Sequence, residues 1–581
     1  MRRGRLTCAG SFLLFLVLSS SCVLVTQTIK TGGEQKLAAN PPPLPPKDGA
    51  HVIVFALDGA VPAQLMNVIR EGRAPHISAL LGKDRGDGLF EHGYEAPHAL
   101  SVLPSSTIAD WTSIFTGKAP AYNGITGDEW FERETMQFYA PVPVSTTDIA
   151  DDTKTVEDDL VGRQIQGPTL YEKLGARSYV SLLSVHRGAT YYTTVSPGSF
   201  GEMITHLIKG ALNGYNPEKS LSAAIDRASA DKVVETINQH GVPDLQVVYF
   251  PGIDIFTHTT EDPLNAQERY LQYVTDPAVG KVLDEYKRQG ITRNLYVIFI
   301  SDHAHIPTIN EERNEVGVGA GTPFVALKKA GFRVRRPALS LPDGDDDFQA
   351  VFAYQGFMAY AYLANRSTCI HDGDRCDWKQ PPRFEEDVIP ALRALYRSNK
   401  FGKPVAGLKG RIDLIFSRIP VGPGETALPY EVFDGRYLVP IHEYLKKHPR
   451  PDLVDLETRM RWLSAGPYGN RAGDILLLAP ACLNVPIEKR YYFADIDHFT
   501  WHGSACEQDS HIPFILARND GSGERMRDMI TGLSSHGTIS ERQLTPLVGI
   551  LLSESVARNA TRVPGANPEK ERTKPATTAG L

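Results

Sequence analysis

Three apolar runs in this chain each lead into residues that can bind a metal ion. His51–Leu57 delivers Asp58 and then Gly59. Leu245–Phe250 passes through Pro251-Gly252-Ile253 to Asp254, with His258 four positions on. Leu295–Ile300 delivers Ser301-Asp302-His303. On a helical turn, the spacing of Asp254 and His258 puts both on one face. His502 follows much later, in Trp501-His502-Gly503-Ser504. Carboxylate oxygens and imidazole nitrogens gathered from several strand ends form a donor set suited to Zn²⁺. Each feature alone has an ordinary alternative. A strand-end Asp caps a helix or forms a turn, the Asp254/His258 pair suits a solvated face, and a lone His is commonly structural. The case for a site rests on their joint occurrence, in order, at the same ends of the strands.

A nucleophile is available in Leu103-Pro-Ser-Ser-Thr107-Ile-Ala-Asp110-Trp111, which continues to Gly117-Lys118. Thr107 precedes an apolar helix expected over Ile108–Phe115. The free N–H groups and dipole of a helix start favour an anion. A hydroxyl placed there and bound to a metal ionises near neutral pH. The competing reading is that Ser105, Ser106 or Thr107 simply caps the helix.

The elements that would position these groups follow from apolar patterning. His51–Leu57, Ser178–Val185, Leu245–Phe250, Leu295–Ile300 and Asp474–Ala479 are continuous apolar runs, as in strands covered on both faces. Ala60–Arg70, Leu221–His240 and Asp276–Gln289 suit helices between them. Such alternation predicts an α/β fold with a central, mostly parallel sheet. Ligands then bind beyond the carboxyl ends of the strands, where the Asp and His residues lie.

The composition is that of a folded, mildly acidic protein. Across 581 residues the chain is 42% hydrophobic and 22% charged, with a formal net charge of −7. No long Lys/Arg run marks a nucleic-acid-binding surface. Arg2, Arg3 and Arg5, the apolar stretch Ser11–Leu18 and Ser19-Ser20-Ser21-Cys22 read as an export signal over 1–22. Cys22 is the candidate lipidated residue, with a plain cleaved signal and an uncleaved anchor as alternatives. Every version places the folded part outside the cytoplasm, periplasmic or at the cell surface, with the N-terminus as the one membrane attachment. Residues 23–49 read as a Pro-rich linker, 50–555 as the catalytic domain and 556–581 as a disordered tail. Setting aside Cys8 and Cys22 leaves Cys369, Cys376, Cys482 and Cys506. In an exported chain these predict two disulfides, and three pairings are open.

Taken together, the motifs resemble the type I phosphodiesterase/nucleotide pyrophosphatase branch of the alkaline-phosphatase superfamily. The elements that carry the resemblance are Asp58, the Pro-x-x-Thr loop at Pro104–Thr107, the Pro120-x-x-x-Gly124-Ile125 continuation, Asp254-x-x-x-His258, Ser301-Asp302-His303 and His502-Gly503-Ser504. The resemblance spans roughly 50–555 and implies a three-layer α/β/α sandwich with inserted cap or rim segments, the rim expected over 331–470. It implies two divalent ions, most simply Zn²⁺: one held by Asp58, Asp302, His303 and the Thr107 oxygen, the other by Asp254, His258 and His502. Thr107 would attack phosphorus in a small-molecule phosphodiester, pyrophosphate or phosphomonoester and form a phosphothreonine, from which a water activated at the second metal would release phosphate or a monoester.

Some positions depart from the pattern. Asp110 stands where many members carry Asn, and an ionised carboxylate cannot donate to a phosphate oxygen. Ala304 replaces a Gly, and His305 is read as incidental. Arg187 and Lys118 are candidate donors to the substrate, with solvated charge as the simpler reading of each. Two other functions compete. A sulfatase-like ester hydrolase lacks support because the C/S-x-P-x-R motif is missing around Thr107. A binding-only member of the fold would be marked by a lost ligand, and all seven positions are filled.

Overall fold

The computed structural model describes residues 33–145, 159–194, 216–317, 319, 321–335, 347–422, 424–494, 498–534 and 538–560. The export signal, Cys22 and most of the expected tail lie outside the described residues. No helix among the described residues is long and apolar enough to cross a membrane.

Five strands form the middle of a ten-stranded sheet: β1 (His51–Leu57), β2 (Ser178–Ser181), β3 (Leu245–Phe250), β4 (Leu295–Ile300) and β5 (Phe514–Ala517). Their spatial order is β2-β3-β1-β4-β5. The first four run parallel, and β5 is antiparallel to β4. The centre of the sheet is therefore the parallel α/β core that the apolar runs imply, while the strands beyond β4 and the outermost strand at the other edge pair antiparallel. Every residue of β1, β3 and β4 is buried, because helices cover both faces. Two apolar clusters fill those faces. One includes Val52, Val54, Trp111 and Ile298; the other includes Ile53, Phe55, Phe250 and Phe299. Alternate residues of β1 point into each, as strand geometry requires.

Three expectations change. Asp474–Ala479 is read from the sequence as a strand of the central sheet. The observed strand, Ile475–Leu478, instead sits in a separate seven-stranded sheet, antiparallel to Met358–Leu363 and Leu414–Ser417. That sheet has its own core, including Phe352, Tyr360, Leu392 and Leu476. An apolar run buried on both faces reads the same in either sheet, so the run alone does not assign it. The Pro-rich linker is also not wholly detached. Glu34–Lys36 pairs with Tyr191–Thr193 at the sheet edge, and Pro42 O accepts from Arg177 Nη1. The final helix runs through Leu544–Ala560, into the start of the expected tail.

Both disulfides are present as Cys369–Cys376 and Cys482–Cys506. The second ties the end of the Ile475–Leu478 strand to the segment just after His502.

Candidate active site

The carboxyl ends of β1, β3 and β4 deliver Asp58, Asp254 and Asp302 to one place. Helix α1 (Thr107–Thr116) brings in the hydroxyl, and helix α2 (Gly252–Thr259) carries Asp254 and His258 on one face. His258 Nε2 lies 3.2 Å from Asp254 Oδ1. His303 Nε2 lies 3.6 Å from Asp58 Oδ1 and 3.5 Å from Asp302 Oδ2. Thr107 Oγ1 is 3.3 Å from the same His303 nitrogen. His502 stacks on His303 with ring centroids 3.6 Å apart, and its Nε2 is 3.9 Å from Asp254 Oδ1. The chain thus brings together all seven residues singled out from its sequence.

The partners behind these groups leave one atom of each facing inward. Asp58 Oδ2 accepts from Trp111 Nε1 at 3.3 Å and from the Tyr249 hydroxyl, while Oδ1 has no hydrogen-bond partner. Asp302 Oδ1 accepts from the N–H groups of Gly59 and His303, at 3.0 and 2.9 Å, while Oδ2 has none. Three imidazoles have Nδ1 against a backbone carbonyl: His258 with Thr500 O at 2.7 Å, His502 with Ser105 O at 3.0 Å and His303 with Ala304 O at 3.3 Å. With the proton on Nδ1, each Nε2 is left as a lone-pair donor toward the carboxylates. Unpartnered carboxylate oxygens and ring nitrogens in a buried cluster would be costly without a counter-ion. The donor set therefore fits divalent cations. Asp58, Asp302 and His303 form one candidate ligand group. Asp254 enters two more, with His303 and His502 and with His258 and His305.

Without such an ion the cluster is electrostatically frustrated. Burial, then the neighbouring Asp302 and Asp254, push Asp58 well above the usual carboxylate range. Burial likewise raises Asp302. Burial also acts to raise Asp254, but His258 and His305 outweigh it and hold the group well below its ordinary value. Burial drives His303 down to about 3, so its ring is neutral at pH 7.

Close backbone approach makes the cluster possible at Gly59. Its φ is +64°, and a Cβ there would lie 2.5 Å from His305 Nε2 and 2.9 Å from Asp254 Oδ1.

Other residues behave differently from the sequence reading. His305 is not incidental: Nε2 lies 3.2 Å from Asp254 Oδ1, which puts a further imidazole in the cluster. Ser106 occupies the N-cap position of α1 but makes no side-chain cap bond. Asp128 does that work instead, its Oδ1 accepting from Ile108 N at 2.8 Å. The Thr107 hydroxyl is thereby left to face His303. Burial, with Glu129 and Asp254 nearby, raises Asp128 to about 7. Nothing local in Gly127-Asp128-Glu129 distinguishes it from a turn residue, so the sequence offered no signal for it.

Asp110 is fully buried and turned into the protein. Its Oδ1 accepts from Val102 N at 3.0 Å, and the same N–H reaches Glu541 Oε1 at 3.2 Å. Burial and the Glu541 charge raise Asp110 well above its ordinary value. Arg187 is likewise engaged away from the cluster. It donates to the carbonyls of Gly162, Ile165 and Gly167 and pairs with Glu172 at 3.0 Å.

Arg459, on helix α3 (Leu456–Ser464), holds the loop that leads into Thr107 and was not singled out from the sequence. Its fully buried guanidinium donates to Ser101 O, Val102 O and Ser105 Oγ at 3.1, 2.9 and 2.9 Å. Asp509 holds the other side of the cluster, accepting from Ser504 N at 2.7 Å and Ser504 Oγ at 2.8 Å.

Residues 52–318 match the family model described as Type I phosphodiesterase / nucleotide pyrophosphatase. The matched segment contains six of the seven residues, and His502 lies beyond it. An uncharacterized pyrophosphatase/phosphodiesterase of Schizosaccharomyces pombe is 22% identical over 320 residues, 53% of this chain and 55% of the relative. The chain thus spans little more than half of that relative's length. Among solved structures, murine ectonucleotide pyrophosphatase / phosphodiesterase 5 is similar at a TM-score of 0.47 and 12% identity, covering 87% of this chain and 95% of its own. Phosphonoacetate hydrolase from Sinorhizobium meliloti 1021, in complex with phosphonoformate, gives a TM-score of 0.46 at 15% identity, with coverages of 90% and 100%. At such scores the structural likeness carries no argument about the site.

Proposed function

We propose that this chain is a phosphoric ester hydrolase of the phosphodiesterase/pyrophosphatase type, with Thr107 as nucleophile and two divalent ions, most simply Zn²⁺, as cofactors. One observation carries the reading: buried, unpartnered carboxylate oxygens and inward-facing imidazole Nε2 atoms surround a threonine hydroxyl at a helix start. Asp58, Asp302, His303 and Thr107 would hold one ion; Asp254, His258 and His502 would hold the other, with His305 beside Asp254. When bound, such ions supply positive charge that lowers the pKa of an adjacent hydroxyl and stabilises charge on phosphoryl oxygens.

The protein's own residues do the positioning. The backbone of α1 presents Thr107 at the end of a dipole that favours the phosphate. Thr107 Oγ1 attacks phosphorus in line, the alcohol or phosphate leaves, and a phosphothreonine remains. Water then attacks that phosphorus and frees Thr107. Arg459 and the Ser105 O–His502 contact keep the nucleophile loop in register with the histidines. The two disulfides suit an exported enzyme acting on small-molecule esters in an oxidising compartment.

The test is hydrolysis of bis-p-nitrophenyl phosphate and p-nitrophenyl phosphate, with and without a chelator, by the parent and Thr107→Ala. Turnover of the diester that is lost on chelation and in Thr107→Ala supports the proposal. Metal-loaded protein inactive on both esters identifies a binding-only member of the fold. Full activity in Thr107→Ala rejects the assigned nucleophile.

A further inference from the structure

A second group of metal-binding side chains lies outside this cluster. His98, Glu507 and His511 each offer one donor atom, and the three atoms lie within 4.8 Å of one another. His98 Nδ1 and His511 Nδ1 face each other at 3.5 Å, and His511 Nδ1 lies 3.8 Å from Glu507 Oε1. The separation of the two nitrogens is informative. It is long for an imidazole hydrogen bond, which favours about 2.9 Å. Two nitrogens on a tetrahedral Zn²⁺, each about 2.0–2.1 Å from the ion, stand roughly 3.4 Å apart. The rings meet edge-on at 61°, with centroids 4.8 Å apart, so they are not stacked for contact area.

The backbone supports the arrangement from both sides. His98 sits at φ +58°, in the left-handed region that His tolerates better than most side chains. It immediately precedes Ala99–Leu100, which pairs antiparallel with His511–Ile512. In that register His511 stands opposite Leu100, which puts His98 on the diagonal two positions away, within reach of a long side chain. Glu507 opens the short helix Glu507–Ser510, and His511 follows it as an extended C-cap.

We infer that His98, Glu507 and His511 form a third metal site, for Zn²⁺ or a similar borderline divalent ion, with solvent completing the coordination. Its place in the chain suggests what it does. His98 lies nine positions before Thr107, and His511 lies nine positions after His502. An ion there joins the strand entering the nucleophile loop to the segment leaving the last candidate ligand. It acts as a surface clip across the two halves of the catalytic cluster, and it responds to the zinc concentration outside the cell.

The test counts zinc. The parent, His98→Ala/His511→Ala, Glu507→Gln and Asp254→Asn are dialysed against micromolar free zinc, and bound zinc per chain is measured by mass spectrometry. The double variant should hold one ion fewer than the parent, and Asp254→Asn should keep that ion. Loss of ligands should weaken the site by more than the roughly 10–100-fold that follows loss of groups behind ligands. Glu507→Gln should weaken it without abolishing it. Circular dichroism in chelator checks that the variants fold as the parent does. Equal zinc in the parent and double variant overturns the site, as does an ion that binds only at millimolar zinc. Because the count is a difference, it holds even if the Thr107 cluster binds no zinc.

Discussion

Replacing Gly59 by alanine should separate a role of the Asp/His cluster in turnover from ordinary backbone cost. Two effects are expected. At φ +64° an L-residue is strained by about 1–2 kcal/mol. The added Cβ would also stand 2.5 Å from His305 Nε2 and 2.9 Å from Asp254 Oδ1, against an ordinary contact limit near 3.4 Å. Asp254 must then move by about 0.5 Å and His305 by about 0.9 Å. Displacement on the order of 1 Å in a reacting constellation costs about 10²-fold in rate. That is close to 2.7 kcal/mol of transition-state stabilisation. Gly72→Ala is the control, with φ +70° and nothing within 4 Å of the added Cβ. Both variants should lose the thermal stability that goes with a strained φ, Gly59→Ala the more because of its clash, and only Gly59→Ala should lose about a hundredfold in kcat/KM on bis-p-nitrophenyl phosphate. Activity within threefold of the parent in Gly59→Ala, with metal content unchanged, would refute the reasoning.

Three further outcomes follow from the same geometry. Trp111→Phe and Tyr249→Phe each remove a donor to Asp58 Oδ2, and should weaken zinc affinity by about 10–100-fold in chelator competition. Arg459→Met leaves Ser101, Val102 and Ser105 without their buried partner; at about 1–3 kcal/mol for each buried polar group left unsatisfied, urea unfolding should show a loss of several kcal/mol, and turnover should fall with it. Burial raises Asp226 to about 8, so between pH 4 and 8 the folded state keeps a proton that the unfolded state has released. Its contribution to stability therefore falls as pH rises through that window and levels off above it. Asp226→Asn can keep the bonds to Gly252 N and Tyr270 OH without the charge. It should gain on the order of a few kcal/mol over the parent at pH 8.5 and little at pH 4, by urea unfolding.

What was legible in the sequence was local. β1, β3 and β4 are short runs whose burial shows as continuous apolar residues, and each is followed within a few positions by its Asp. The i,i+4 pair on α2 needs only helical geometry. What was hidden depends on distant partners. Ile475–Leu478 has the same composition as a central strand, and only its neighbours Met358–Leu363 and Leu414–Ser417 assign it to the second sheet. Asp128 looks like a turn residue until its carboxylate is seen against Ile108 N. Arg459 and Glu541 lie hundreds of positions from the loop they meet, so no window of sequence joins them. His305 was missed because no strand or helix period links it to Asp254; the turn after His303 does that.

Anomalous diffraction at the zinc edge, on crystals grown with zinc, bears most directly on the central claim. Two peaks should appear about 3.5–4 Å apart, one among Asp58, Asp302, His303 and Thr107 and the other among Asp254, His258 and His502. No peak between these side chains, or a single ion coordinated without Thr107 in reach, would contradict it.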